Sequence, residues 1–147
     1  MQTPVVQCEA SANSAAVALH FPLGLLGFPE VTEYVLADVA SDLPFKCLQA
    51  VHAPDLGFIL LDPTMLVPDY HVTIEPQDLH DLQVSDQQHL CLLVILTIHP
   101  DTQEQSTVNL QGPILINTQT HRAKQLVLHQ SPYHTRYPLL VPDGSVA

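Results

Sequence analysis

The sequence predicts a mainly β, single-domain antiparallel barrel or sandwich with one short helix, and three observations predict it. Short apolar runs recur along the chain, each broken by Pro, Gly or Asp. Aromatic and β-branched residues sit inside the runs, as pleated strands favour. Apolar and polar residues alternate in Val31-Thr32-Glu33-Tyr34-Val35 and in Tyr70-His71-Val72-Thr73-Ile74, so that every second side chain can face a core while the other face stays wet.

Taken in chain order, the expected strands are Val5 to Cys8, Ala16 to Phe21, Val31 to Ala37, Phe45 to His52, Phe58 to Leu61 and Tyr70 to Ile74, then Leu90 to His99, Ser106 to Gln111, Ile114 to Asn117 and Lys124 to His129. The run LCLLVILTI, from Leu90 to Ile98, is apolar on both faces and is read as the central strand. Val94, Ile95, Thr97 and Ile98 favour that reading over a buried helix. The one helix is placed at Pro76 to Gln83. Pro76 fits its first turn, Leu79 and Leu82 share a face, and Asp78 and Asp81 suit the positive end of the helix dipole. Pro22 and Gly24, Gly27 and Pro29, Pro54 to Gly57, Asp62-Pro63, Pro68-Asp69 and Gly112-Pro113 supply the turns. The sequence GLLG, Gly24 to Gly27, is read as a tight turn packing Leu25 and Leu26, being too short and apolar to cradle phosphate.

At 147 residues the chain is one domain by length, large enough to bury about two-thirds of the surface of its unfolded form. No repeat or linker divides residues 1–147, and the tail after Tyr137, PLLVPDGSVA, reads as frayed or loosely docked. The composition is 46% hydrophobic and 13% charged, with fifteen acids against four bases and a formal charge of −11. Residues 1–121 hold a single cation, Lys46; Arg122, Lys124 and Arg136 follow. A field this negative repels phosphates, which argues against direct nucleic-acid binding. The same field attracts and orients basic proteins.

The N-terminal stretch lacks a basic region, and its apolar runs are too short for a bilayer, so the protein is expected in the cytoplasm and not in a membrane. Cys8, Cys47 and Cys91 are far apart and have no metal-ligand spacing, which fits reduced, mostly buried thiols. The nine histidines fall without the paired spacing that puts two ligands on one face. They would protonate in mild acid and shrink the net charge. No GxSxG, HExxH, GxGxxG or Walker pattern is present. Asp55 with Asp62 is a conceivable acid/base pair, but Asp beside Pro is ordinary turn composition. No cofactor, metal or catalytic residue is expected. Protein binding is the leading class, with a small-ligand-binding barrel as the alternative and a cryptic enzyme third.

Three segments together resemble the flagellar assembly factor FliW family of bacteria. They are LHFPLGLLGFPEVTEYVL (residues 19–36), PFKCLQAVHAPDLGFILLDPTMLVPDYHVTI (44–74) and STVNLQGPILINTQTHRAKQLVLHQSPYHTRYPL (106–139). The third is the most specific, with Asn-Leu-x-x-Pro-x-x-Ile-Asn followed by Lys-Gln and a late Tyr. The N-terminal VQCEASANSAAVA departs from the family's acidic, Gly-containing first hairpin.

The resemblance implies a non-enzymatic cytoplasmic regulator with a barrel-like antiparallel fold. It also implies two competing partners: flagellin, and the carbon storage regulator (a CsrA-type RNA-binding repressor of flagellin translation). Flagellin export frees the factor to bind the repressor noncompetitively, away from its RNA contacts, and so relieve repression. A body of charge −11 docked beside an RNA surface would steer encounter and repel phosphates within a Debye length of about 8 Å. The matched motifs nominate Leu25, Phe28, Pro29, Glu30, Pro68, Asp69, Tyr70, Asn109, Pro113 and Asn117 as partner-binding residues. Phe28 and Tyr70 have core packing as a competing role, and Asn109 and Asn117 have backbone satisfaction at strand ends.

Overall fold

The structure, a computed structural model, describes residues 16–39, 44–85, 89–97, 106–128, 132–133 and 135–138. Strands β1 (Val17–His20), β2 (Glu33–Asp38), β3 (Lys46–Ala50) and β4 (Gly57–Leu61) form an antiparallel meander. A long connection holds a 3-10 turn at Pro63–Met65 and helix α1 (Pro76–Asp81). It leads to β5 (Leu90–Thr97), which pairs with β4 on one edge and with β6 (Thr107–Asn117) on the other. Strand β6 folds back on β7 (Arg122–Gln125), and β7 meets β1 to close a seven-stranded barrel. A two-residue strand, β8 (Tyr137–Pro138), pairs with the start of β6.

The closing pair is parallel, His20 against Arg122, where the sequence led us to expect antiparallel pairing throughout. Strand parity requires this. Each of the other six junctions reverses direction, so the first and last of seven strands run the same way.

Alternation decides what each face buries. Leu19, Tyr34, Leu48, Phe58, Leu60, Leu93, Ile95, Ile114 and Ile116 fill the barrel in one cluster with Phe21 and Leu25. Their strand neighbours Leu61, Val94, Leu96, Val108 and Leu110 form a second cluster outside the barrel, packed against Leu66, Val67, Tyr70 and Val72 of the long connection. A third cluster, Leu82, Leu115 and Leu126, lies between the end of α1 and the β6–β7 hairpin. Strand β5 is therefore covered on both faces, as its unbroken apolar run predicts.

Several expectations are corrected. Residues 70–74 are not a strand. Their burial alternates, with Tyr70 buried and His71 and Thr73 exposed, but among the described residues no strand pairs with them. Periodicity reports which side is covered, not which edge is bonded. The two strands expected at 106–111 and 114–117 are one strand, β6, that runs through Gly112-Pro113. A register shift in its pairing with β5 absorbs the irregularity. Asn109 Oδ1 accepts from the N–H groups of Gln111 and Gly112 (3.0 and 2.9 Å) and so satisfies donors that the ladder leaves over. The turn at Gly24 to Gly27 buries Leu25 but not Leu26. Cys47 is disulfide-bonded, while Cys91 is free. Separation along the chain had suggested reduced thiols, but the geometry of a disulfide depends on Cα separation in space. The expected strand at Val5 to Cys8 and the tail beyond 138 lie outside the described residues.

Candidate functional site

The loop from β1 to β2 is shaped by two glycines with positive φ, +66° at Gly24 and +89° at Gly27. A Cβ on Gly24 would lie 2.4 Å from the Phe28 carbonyl oxygen, so the position admits no side chain. The tight path lets Leu25 and Phe28 exchange backbone hydrogen bonds of 3.3 and 2.8 Å. Leu25 is thereby turned into the barrel mouth, and Phe28 packs edge-on to Phe58 at 5.9 Å. Leu23 and Leu26 are turned outward, 63% and 62% exposed. The Leu26 N–H donates to Gln125 Oε1 (2.9 Å), and Gln125 Nε2 donates to the Gly112 carbonyl (2.9 Å). A single amide thus ties the loop to the β6 irregularity and holds the two leucines in place.

The nominated residues divide by burial. Pro29, Glu30, Pro68 and Asp69 are exposed, and Phe28 and Asn109 are partly buried. Leu25, Tyr70, Pro113 and Asn117 are buried. The Tyr70 hydroxyl donates to the Leu110 carbonyl at 2.6 Å, and burial, then the Tyr133 phenol, pushes its pKa up. Asn117, 1% exposed, donates from Nδ2 to the Leu82 carbonyl (2.9 Å) and accepts at Oδ1 from Gln119 and Thr120 N–H groups (2.9 and 3.3 Å). These four hold the fold. Leu23 and Leu26 were not nominated, although the matched segment 19–36 contains their loop. Which of its leucines faces out depends on backbone φ, which composition does not report.

Beside this loop, α1 is fastened to the β6–β7 hairpin by its C-terminal carbonyls. Arg122 Nε donates to the Asp81 carbonyl, and the Thr120 hydroxyl and Asn117 donate to that of Leu82. Lys124 Nζ lies 2.8 Å from both Asp78 Oδ1 and Asp81 Oδ2. Hydrogen bonds from Lys124 and then Gln77 hold the Asp81 carboxyl below its usual range. Burial works against the Lys124 charge, but bonds to Asp78 and Asp81 outweigh it and raise its pKa. Inside the barrel the Tyr34 hydroxyl has no hydrogen-bond partner among the described residues, and burial, then Glu30, pushes its pKa up to about 12. Cys91 is likewise pushed up by burial and then by Asp62, against a smaller opposing effect of Lys46. That is the reverse of what thiolate chemistry needs.

A surface groove of about 630 Å³ is lined by His71 to Thr73, Glu75 and Asp78, by Lys124 to Leu128, and by Pro132 and Tyr133. Among the described residues, no group of three or more His, Cys, Asp or Glu is placed to hold a metal ion. Among them, no helix is long and apolar enough to cross a membrane. The described surface thus carries an exposed leucine pair on a braced loop and a groove, on a chain of charge −11.

Comparison with known proteins places this arrangement in context. The family model described as FliW protein matches residues 3–139. A flagellar assembly factor FliW from Natranaerobius thermophilus is 36% identical over 129 residues, 88% of this chain and 85% of the relative. Another, from Geobacillus kaustophilus, is 37% identical over 121 residues, 82% of this chain and 83% of the relative. A crystal structure of the flagellar assembly factor FliW superposes with a TM-score of 0.76 at 35% identity, covering 86% of this chain and 87% of that one.

Proposed function

This chain belongs to the FliW family of flagellar assembly factors, and we propose that it works in the cytoplasm by binding other proteins rather than by catalysis. Its proposed partners are flagellin and the carbon storage regulator. Flagellin occupies the factor until it is exported; the freed factor then binds the RNA-binding repressor away from its RNA contacts and relieves repression of flagellin translation. It touches no nucleic acid itself.

The observation that carries this reading is the exposed pair Leu23 and Leu26, held outward on a loop that Gly24 and Gln125 keep rigid, on a chain of charge −11. A monomer gains nothing from two leucines held in water. They suit an anchor in a partner's apolar pocket, with Pro29 and Glu30 beside them on the same loop. Glu30, Asp69 and the overall negative field contribute to the rate of encounter with a basic partner. The alternative of a ligand inside the barrel is disfavoured, because Tyr34, Phe58, Leu60, Ile114 and their neighbours occupy the interior.

Co-purification with flagellin, and separately with the carbon storage regulator, tests the proposal. The double variant Leu23→Ser, Leu26→Ser is expected to retain stability within about 0.5 kcal/mol. It should bind at least one partner about tenfold or more weakly. Undiminished binding of both partners by that variant would remove the leucines from the interface.

A further inference from the structure

We propose that the outer edge of β7 and its extension to Leu128 accepts an extended, basic segment of another protein as an added strand. The inner edge is fully used. Past the end of β7, Leu126 N–H donates to the Pro113 carbonyl (2.8 Å) and Leu128 N–H to that of Gln111 (2.9 Å), so residues 126–128 continue alongside β6. Backbone groups alternate in direction along an antiparallel strand, which points those of Gln125 and Val127 the opposite way. Strand β1 covers that outer edge at one register position, His20 against Arg122, and the chain then turns off at Phe21. Leu26 reaches the edge but takes the Gln125 side chain, leaving its backbone untouched.

Residues 124–128 also line the groove of about 630 Å³, together with His71 to Thr73 and Glu75 of the long connection. Among the described residues, Val72, Thr73, Ile74 and Val127 make no backbone hydrogen bond. An edge with unused outward backbone groups at Gln125 and Val127, bordered by a surface groove, is what an added strand pairs with. Val127, 44% exposed, offers an apolar contact at the rim.

Charge selects the guest. The Lys124 ammonium is already held between Asp78 and Asp81, which leaves the exposed Glu75 carboxylate to set the sign at that end of the groove. With −11 on the whole chain, a guest alternating Lys with Val or Thr is complementary and an acidic one is repelled. The inference does not depend on which proteins are the partners proposed above.

The probe is a blocked synthetic hexapeptide, Lys-Val-Thr-Val-Lys-Thr, added to the full chain labelled for amide hydrogen exchange. The Gln125 and Val127 amides are expected to exchange freely without peptide and to slow by about tenfold or more when it is bound. Val127→Pro removes an outward donor that the fold does not use, and it should weaken binding about tenfold or more. N-methylation of alternate peptide residues should do the same with the protein unaltered, which keeps the test decisive if the variant folds poorly. Four results would each overturn the proposal: Gln125 and Val127 already protected in the free chain; no binding of the probe; equal binding of both N-methylated frames; or equal binding of a peptide with Glu in place of Lys.

Discussion

Asn117 joins three pieces of chain through one side-chain amide. Its nitrogen holds the carbonyl that ends α1, and its oxygen gathers two N–H groups of the β6–β7 turn. Asn117 is 1% exposed, so Asn117→Ala leaves a cavity, frees two part-buried N–H donors and leaves the Leu82 carbonyl with only the Thr120 hydroxyl of its two side-chain donors. The expected cost is about 1–2 kcal/mol in a urea or thermal melt; a loss under about 0.5 kcal/mol would contradict this account. Asn109 satisfies leftover donors of a strand irregularity in a more exposed setting. The motif marked both asparagines as notable, and backbone satisfaction was a role legible for each. Their division of labour was not, because it depends on where β6 departs from regular register.

At the scale of the element, the β1–β2 loop and α1 depend on different physics. The loop depends on backbone conformation. Gly24 combines positive φ with no room for a Cβ, whereas Gly27 has positive φ and open space around it. Gly24→Ala should therefore cost about 2 kcal/mol or more and loosen the outward leucines, and Gly27→Ala about 1 kcal/mol. Equal losses in parallel melts would show that the close approach at Gly24 is immaterial. Helix α1 depends on charge. Asp81 is held below its usual range, so its contribution is complete above about pH 4, the unfolded carboxylate value, and is lost as the pH falls through the folded value. Lys124, held above its usual range, contributes below about pH 10 and stops doing so only in stronger alkali. The tether is thus intact at neutrality. Thermal melts between about pH 5 and pH 3 should show a smaller acid-induced drop for Asp81→Asn than for the parent chain; an identical drop would place the acid-sensitive group elsewhere. The helix was legible from Pro76, Asp78 and Leu82. The segment 70–74 was misread because alternation in burial precedes and does not require a bonded neighbour.

For the whole molecule, the barrel was legible from short apolar runs, from turn residues between them and from the doubly apolar β5. Its parallel seam follows from seven strands and was invisible until they could be counted. The charge asymmetry bears on association and not on fold. In the proposed function, the charge of −11 and the outward leucines would combine long-range attraction for a basic protein with a short-range apolar anchor. Salt separates these contributions, because it screens the first and leaves the second. The central claim is that one acidic factor binds flagellin and the carbon storage regulator in exchange for one another. The most direct measurement is a titration of flagellin into the preformed complex of this chain with the regulator, followed by released regulator at about 0.05 M and about 0.5 M salt. The account predicts full release by stoichiometric flagellin and a regulator complex that forms more slowly at the higher salt. A chain that forms no complex with either protein, or that keeps its regulator in the presence of excess flagellin, would contradict it.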